Sequence, residues 1–255
     1  MTELVPLDFE TDAGYGARAR IGIVVLETDH TIEPEAALLD IDDVAFYHAR
    51  IPMEPEVSSD TLGAMQRALP STAGLLPVEF EFAAVGYACT SAATVIGAEA
   101  VHACLHTAHP STPATDPISA AIIAARTLGL RRLAVVTPYV EEVTDQILAT
   151  FEVGGIGVGA AGSFLEPNDH VVAHIAPESL LEGMRTVLDG SECDGAFVSC
   201  TSLRTLAFVA SWEEELGVPV LSSNQAFLWH LLRLAGVDDR LPQFGRLFES
   251  GLPRQ

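Results

Sequence analysis

The hydrophobic pattern of the chain alternates between short continuous apolar runs and longer amphipathic segments. The runs RIGIVVL (20–26), FEFAAVGYAC (80–89) and CDGAFVSC (193–200) predict strands that are buried on both faces, as in a parallel sheet. Segments such as VEEVTDQILATFE (140–152) have the spacing of an amphipathic helix. The alternation of strand and helix predicts βαβ units, and therefore an α/β fold of parallel sheets covered by helices.

Three helix predictions bear directly on the site. SSDTLGAMQRALP (58–70) opens with a cap signal and is predicted to end at its proline. SAATVIGAEAVHACLH (91–106) is predicted to be one helix. TSLRTLAFVASWEEEL (201–216) is predicted to be another, beginning directly after the strand that ends at residue 200.

A proline-rich stretch, HPSTPATDP (109–117), divides the chain into two halves with a similar order of elements. A single doubly wound sheet is one interpretation, but the similar halves favour two pseudo-symmetric, flavodoxin-like domains. Residues 18–112 with residues 222–255 are predicted to form the first domain, with the C-terminal helix packed back onto it. Residues 113–221 are predicted to form the second.

The tripeptide Cys-Thr-Ser occurs twice, at residues 89–91 and 200–202, each time after a predicted strand. Ligands of open α/β sheets bind at the carboxyl ends of the strands. A thiol at a helix N-terminus is expected to have a lowered pKa, and the neighbouring hydroxyls can cap the helix or bind a carboxylate. The alternative interpretation is that both cysteines are small buried residues and both Thr-Ser pairs are ordinary caps.

The formal net charge of the chain is −22. Nucleic acids and anionic membranes bind basic surfaces, so this charge argues against both as partners. No apolar run reaches the roughly 18 residues of a membrane-spanning helix. The acidic N-terminus lacks the basic and apolar regions of a signal peptide, so we expect a cytoplasmic protein.

The 13 basic residues are all arginine. The lack of lysine excludes a pyridoxal phosphate Schiff base and a P-loop, and we expect catalysis without a cofactor. The four cysteines form no CxxC pair, so reduced thiols are expected. His102, Cys104 and His106 lie close together on one predicted helix, but we interpret them as a helix surface and predict no metal site.

The chain resembles the aspartate/glutamate racemase superfamily, in the branch that holds maleate cis-trans isomerases, arylmalonate decarboxylases and ectoine-utilisation racemase-like proteins. The resemblance runs from RIGIVVLETDHTIEPE (20–35) to VPVLSSNQAFLWHLLRLAG (218–236). Asp29 stands where the isomerases carry an active-site asparagine, and the form with Asp and TIEPE is more like the ectoine-utilisation group. That departure makes maleate itself doubtful as the substrate.

The resemblance implies two catalytic cysteines, Cys89 and Cys200, on opposite sides of a cleft between the domains. It implies a substrate pocket formed by seven further residues: Asp29, Thr90, Ser91, Tyr139, Asn168, Thr201 and Ser202. The decarboxylases keep only the second cysteine, and this chain has both. Similar proteins form dimers or tetramers, so a homo-oligomer is expected.

The sequence therefore predicts a cofactor-independent, two-cysteine racemase or isomerase of a small carboxylate or amino-acid derivative, with a possible place in ectoine breakdown. Proton transfer at the α-carbon would pass through an enediolate stabilised by hydrogen-bond donors. The alternatives are a maleate-type cis-trans isomerase and an arylmalonate-type decarboxylase that uses Cys200. A two-lobed small-molecule binding protein is the non-enzymatic alternative.

Overall fold

The computed structural model describes residue 2, residues 4–53 and residues 59–252 of the 255-residue chain. Its strands form two parallel four-stranded sheets of identical strand order, which confirms the predicted α/β class. The first sheet has the order β2-β1-β3-β4: β1 Ala19–Leu26, β2 Val44–Ile51, β3 Ala84–Ala88 and β4 Ala114–Thr115. The second has the order β6-β5-β7-β8: β5 Arg132–Thr137, β6 Gly157–Ser163, β7 Gly195–Val198 and β8 Val220–Ser222.

Helices cover the two sheets and connect their parallel strands. The α-helices are α1 Ile32–Ala37, α2 Ser59–Ala73, α3 Thr90–Ile96, α4 Ala98–Ala108, α5 Pro117–Thr127, α6 Glu141–Val153, α7 Asp169–Val172, α8 Pro177–Leu188, α9 Val209–Leu216 and α10 Ser223–Leu234. Short 3-10 turns lie at Val78–Phe80, Pro242–Phe244 and Arg246–Glu249. Among the described residues, no helix is both long and apolar enough to cross a membrane.

The helix α10 lies in the interior, and its residues 223–233 are all buried. It packs against β3, β4 and β8, and so contacts both sheets. A Cβ atom at Gly86 of β3 would lie 2.5 Å from the Phe227 ring, so the close approach of α10 requires glycine there. The domain division at residues 112 and 113 stays a prediction. The strand β4 begins after that division, yet it pairs with β3 of the first sheet through Val85 and Ala114.

Two helix predictions in the first half are wrong in their extent. The helix α2 continues through Pro70 to Ala73, and the Cys104 thiol lies 3.7 Å from the Gln66 carbonyl, the oxygen that the missing N–H of Pro70 would otherwise bind. The Ser58 end of that prediction lies outside the described residues. The helix predicted over 91–106 is broken at Gly97, whose φ of 91° ends α3 and begins α4.

The carboxyl ends of the strands carry most of the predicted site residues. Asp29 follows β1, Cys89 follows β3, Tyr139 follows β5 and Cys200 follows β7. In each sheet the two positions follow the two central strands. The two halves of the fold therefore place these residues at equivalent strand ends. The chemistry-bearing side chains are thus gathered at one edge of each sheet, as expected for an α/β protein.

Candidate active site

The turn at Cys89 starts a helix. Cys89 is the N-cap residue of α3, and its Sγ accepts a hydrogen bond from the Ala92 N–H at 3.4 Å. The Ser91 hydroxyl lies 3.5 Å from the same sulfur. The thiol is therefore buried and held by the first turn of the helix, as the sequence predicts.

The turn at Cys200 does not start a helix, which corrects the prediction for 201–216. Cys200 has a φ of 137°, and residues 201–208 form an irregular loop before α9. The Cys200 N–H donates to Ser223 Oγ at 3.0 Å, and the Ser202 N–H donates to Cys200 Sγ at 3.4 Å. A positive φ in a residue other than glycine is a strained conformation that the surrounding contacts must hold.

Two buried polar side chains from distant parts of the chain hold this loop. Glu35 of α1 accepts hydrogen bonds from the backbone N–H groups of Thr205 and Leu206 at 2.6 and 2.8 Å. The Asn224 amide of α10 donates to one carboxylate and two loop carbonyls, at 2.7, 3.0 and 3.2 Å: Glu35, Thr201 and Leu203. Because these partners satisfy the loop's backbone groups, the loop needs no helical hydrogen bonds of its own.

The hydroxyls of the two threonines join the turns to each other. Thr90 Oγ1 donates to Ser223 Oγ at 2.7 Å, the same oxygen that accepts the Cys200 N–H. Thr201 Oγ1 donates to the Ala88 carbonyl, directly before Cys89, at 3.1 Å. Both predicted substrate-binding hydroxyls therefore make structural hydrogen bonds between the two halves.

Tyr139 lies between the two turns. Its side chain lies within electrostatic reach of the Cys200 thiol and the Ser91 side chain, and burial raises its pKa well above the ordinary value for tyrosine. With the contact between Ser91 and Cys89, this makes a chain of four neighbouring polar groups: Cys89, Ser91, Tyr139 and Cys200. The structure therefore brings the predicted Ser91 and Tyr139 together with both thiols.

The expectation of thiols with a lowered pKa is wrong for this structure. Burial raises the pKa of Cys89 to about 11, although hydrogen bonds from Ser91 and Ala92 oppose the shift. Burial also raises the pKa of Cys200, and the charge of Asp169 raises it further. Desolvation outweighs the helix N-terminus, and both thiols are protonated near neutral pH.

The two carboxylate oxygens of Asp29 have different surroundings. Its Oδ1 accepts hydrogen bonds from the Thr31 and Ile32 N–H groups, both at 2.8 Å, at the start of α1. Its Oδ2 is buried and has no hydrogen-bond partner. Burial raises the pKa of Asp29 to about 6, with a contribution from the charge of Asp169.

Asn168 lies outside the buried polar group, whereas its neighbour Asp169 lies in it. Asn168 is exposed, and its side chain accepts the His170 N–H at 3.0 Å as the N-cap of α7. Asp169 is buried and accepts hydrogen bonds from Thr28 Oγ1 at 2.6 Å and from the predicted Ser202 Oγ at 2.7 Å. The sequence reasoning missed Asp169, and the repeated Asp-His dipeptide at 29–30 and 169–170 was the available signal.

The histidines of α4 make ordinary structural contacts. His102 Nε2 lies 2.9 Å from the buried Asp116 carboxylate, and His106 Nε2 lies 3.1 Å from the Thr112 carbonyl. Within the described part of the chain, no group of three or more His, Cys, Asp or Glu residues is arranged to hold a metal ion. Cys104 and Cys193 are free and partly buried, outside the chain of polar groups that joins the other two cysteines.

Known proteins resemble this chain over most of its length. A family model described as arylmalonate decarboxylase matches residues 66–248. The arylmalonate decarboxylase of Bordetella bronchiseptica is 31% identical over 140 residues, which span 54% of this chain and 58% of that protein. The maleate isomerase of Nocardia farcinica is 29% identical over 248 residues, which span 91% of this chain and 96% of that protein.

Two solved structures show the same architecture. One is a mutant of the Nocardia farcinica maleate cis-trans isomerase with a covalently bound succinylcysteine intermediate, with a TM-score of 0.82 and 25% identity over 90% of this chain and 98% of that one. The other is a liganded mutant of arylmalonate decarboxylase, with a TM-score of 0.81 and 25% identity over 91% of this chain and 99% of that one.

Proposed function

Because the chain belongs to the arylmalonate decarboxylase family, we propose that it is a cofactor-independent cis-trans isomerase of a small unsaturated carboxylate. The observation that carries the proposal is the chain of polar groups from Cys89 through Ser91 and Tyr139 to Cys200. It connects two buried thiols that come from opposite halves of the molecule. In this proposal Cys89 is the nucleophile and Cys200 is the acid and base.

The racemase that the sequence predicts first would use the same two thiols. The comparisons name maleate isomerases and an arylmalonate decarboxylase, so they support the sequence's isomerase alternative better. A covalent intermediate on cysteine in one relative also supports nucleophilic addition by a thiol. The racemase and its place in ectoine breakdown stay predictions.

The first step would be addition of the Cys89 sulfur to the alkene carbon β to the carboxylate. The carbon–sulfur bond forms as the π electrons move towards the carboxylate and give an enediolate. Cys200 donates its proton to the α-carbon, and the proton of Cys89 passes along Ser91 and Tyr139 to restore the Cys200 thiol. The result is a saturated thioether with no net gain or loss of protons.

In the second half, the bond between the α- and β-carbons, which is now single, would rotate. The transfers would then run in reverse. Cys200 removes the α-proton, the enediolate collapses, the double bond forms in the trans geometry and the Cys89 sulfur leaves. Its proton returns from Cys200 through Tyr139 and Ser91. The relay matters because both thiols are protonated at rest, and direct attack by a pre-formed thiolate would require a pKa that burial opposes.

Proton NMR of cis-unsaturated carboxylates, incubated with the protein, tests the proposal directly. We expect conversion of the cis to the trans alkene, and loss of the conversion in Cys89→Ser. In Cys200→Ser, which lacks the acid and base of both steps, we expect the conversion to be lost as well, and an adduct of the mass of the substrate in intact-mass spectrometry would identify Cys89 as the nucleophile. Ser91→Ala should lower kcat about 100- to 10,000-fold, the usual contribution of one proton-transfer group.

Decarboxylation is the second candidate, and it is favoured by the family model itself. It would need Cys200 as the proton donor to the carbanion and would not need Cys89. Release of carbon dioxide from arylmalonates that persists in Cys89→Ser and disappears in Cys200→Ser would replace the isomerase proposal. Deuterium uptake at the α-carbon of a chiral acid in D2O, with loss of optical activity, would favour the racemase.

A further inference from the structure

Two carboxylates, Asp29 and Asp169, are buried near the loop that follows Cys200. Asp29 is 5% exposed and Asp169 is 4% exposed, and they come from opposite halves of the molecule. The charge of Asp169 raises the pKa of Asp29 and of both cysteines, so it lies close to all three. The group of buried polar side chains around the thiols, which we call the pocket, is therefore acidic on the side of these two residues.

The two carboxylates differ in how their oxygen atoms are satisfied. Both oxygens of Asp169 accept a hydroxyl hydrogen bond, from Thr28 and Ser202, and these bonds fix its position. Asp29 uses Oδ1 for two backbone N–H groups, while its buried Oδ2 has no partner. A buried acceptor without a donor is costly, and it indicates a group that a ligand completes.

The Arg50 guanidinium lowers the pKa of Asp29, but it bonds to neither of the Asp29 carboxylate oxygens. Arg50 Nη1 donates to the carbonyls of Leu26, Glu27 and Asp29 at 3.1, 3.1 and 3.0 Å, and its Nη2 pairs with Glu33 at 2.8 Å. Its donors are thus committed to backbone and to a partly exposed glutamate. The chain has no lysine to supply another cation.

Arg204 follows Cys200 by four residues but is exposed, and it donates to the Ile175 carbonyl at 3.2 Å. A substrate with two carboxylates would bring a second negative group into a pocket that already holds Asp169. Buried like charges repel, whereas a buried cation paired with carboxylates is stabilised.

We propose that the substrate carries a protonated nitrogen that binds Asp29 and Asp169, together with one carboxylate next to the reacting carbons. This assignment rests on the proposed isomerase function for its reacting carbons, but its binding claim can be tested alone. The protonated nitrogen supplies the missing donor to Asp29 Oδ2. The carboxylate lies at the other side of the pocket, where Ser91 and Tyr139 provide hydroxyls.

A competing explanation keeps a dicarboxylate as the substrate. In it, a protonated Asp29 donates a hydrogen bond through Oδ2 to the second substrate carboxylate, much as an asparagine amide would. The two explanations make opposite predictions for Asp→Asn substitutions. Asparagine would preserve binding of a dicarboxylate and would weaken binding of a protonated amine.

A matched pair of ligands separates the two explanations. Maleate and cis-4-aminobut-2-enoate share one carboxylate and the cis alkene. At the other end, maleate has a second carboxylate, whereas cis-4-aminobut-2-enoate has an ammonium group. We would measure both affinities by calorimetry in Cys89→Ser, which stops turnover. We expect the ammonium ligand to bind about 10- to 100-fold more tightly, the range for one charge-assisted hydrogen-bonded contact.

Adding Asp169→Asn should abolish that preference, and Asp29→Asn provides a second test if the first variant does not fold. Asp145→Asn, the same change at an exposed carboxylate of α6, should leave the preference unchanged. Equal or tighter binding of maleate, or a preference that survives both site substitutions, would overturn the inference. Turnover of either ligand by the wild-type protein reports separately on the isomerase proposal, since the preference is measured without chemistry.

Discussion

The two Cys-Thr-Ser turns share a tripeptide and a place in the fold, yet they adopt different local structures. The turn at Cys89 is local: the thiol caps a helix whose own backbone supplies the Ala92 N–H. The turn at Cys200 depends on Glu35 and Asn224, which bind the loop that follows it. The same tripeptide at equivalent strand ends is thus followed directly by a helix at Cys89 but not at Cys200. At Cys200, side chains that are distant in sequence hydrogen-bond the backbone N–H and C=O groups instead.

This difference gives the two thiols different surroundings. Cys89 hydrogen-bonds a serine and an N–H group of its own helix. Cys200 is held at a positive φ and lies near Tyr139, which follows the other central strand of its sheet. The nucleophile that we propose is therefore the locally supported thiol, and the acid–base thiol is the one whose position depends on the whole fold.

The largest expected effect concerns Glu35. Burial raises its pKa from 4.5 to about 7, despite two hydrogen bonds from the loop and one from Asn224. The folded protein therefore binds this proton more tightly than the unfolded chain. The contribution of Glu35 to the free energy of unfolding is largest below about pH 4.5. It falls by on the order of 3 kcal/mol as the pH rises to 7.

Urea denaturation of the wild type and Glu35→Gln at several pH values measures this contribution as the difference between the two free energies of unfolding. We expect the wild type to lose stability relative to Glu35→Gln as the pH rises from 4.5 to 7. The same substitution at the exposed Glu99 provides the baseline. A difference that does not change with pH would show that the Cys200 loop is not held by a titrating carboxyl group.

Ser223 tests the connection between the turns. Its Oγ accepts the Cys200 N–H and the Thr90 hydroxyl, so Ser223→Ala leaves two buried donors without this partner. We expect a loss of about 2 kcal/mol in the free energy of unfolding, the typical cost of unsatisfied buried groups. Hydrogen exchange should rise in residues 200–208 more than in residues 90–96, because α3 has hydrogen bonds of its own.

The control is Ser211→Ala, which removes an exposed hydroxyl that donates to a carbonyl in its own helix turn. It should change the free energy of unfolding little. Equal increases in exchange at both turns would mean that the Cys89 helix depends on Ser223 as much as the Cys200 loop does. That result would remove the contrast between a local and a distant source of support.

The apolar runs were sufficient to predict β1, β3 and β7, because buried parallel strands need nothing else in their sequence. The short strand β4 lies in the proline-rich stretch 109–117 and was not predicted. The repeated tripeptide likewise located both thiols. The loop after Cys200 could not be predicted, since TSLRTLAF has helical spacing and its competing partners, Glu35 and Asn224, are distant in sequence. The thiol pKa values were missed for a related reason: a helix N-terminus is visible in sequence, whereas the extent of burial is not.

The smallest expected effect compares serine at the two cysteine positions. Serine is a preferred N-cap residue, so Cys89→Ser should keep the hydrogen bond from the Ala92 N–H and support α3. Cys200→Ser has no helix to cap, because α9 begins only at Val209. We expect Cys89→Ser to be more stable than Cys200→Ser by about 0.5–1 kcal/mol in urea denaturation. Equal stabilities would indicate that the helix after Cys89 is maintained by its packing and not by its cap, and the structural contrast between the turns would then lie in the loop alone.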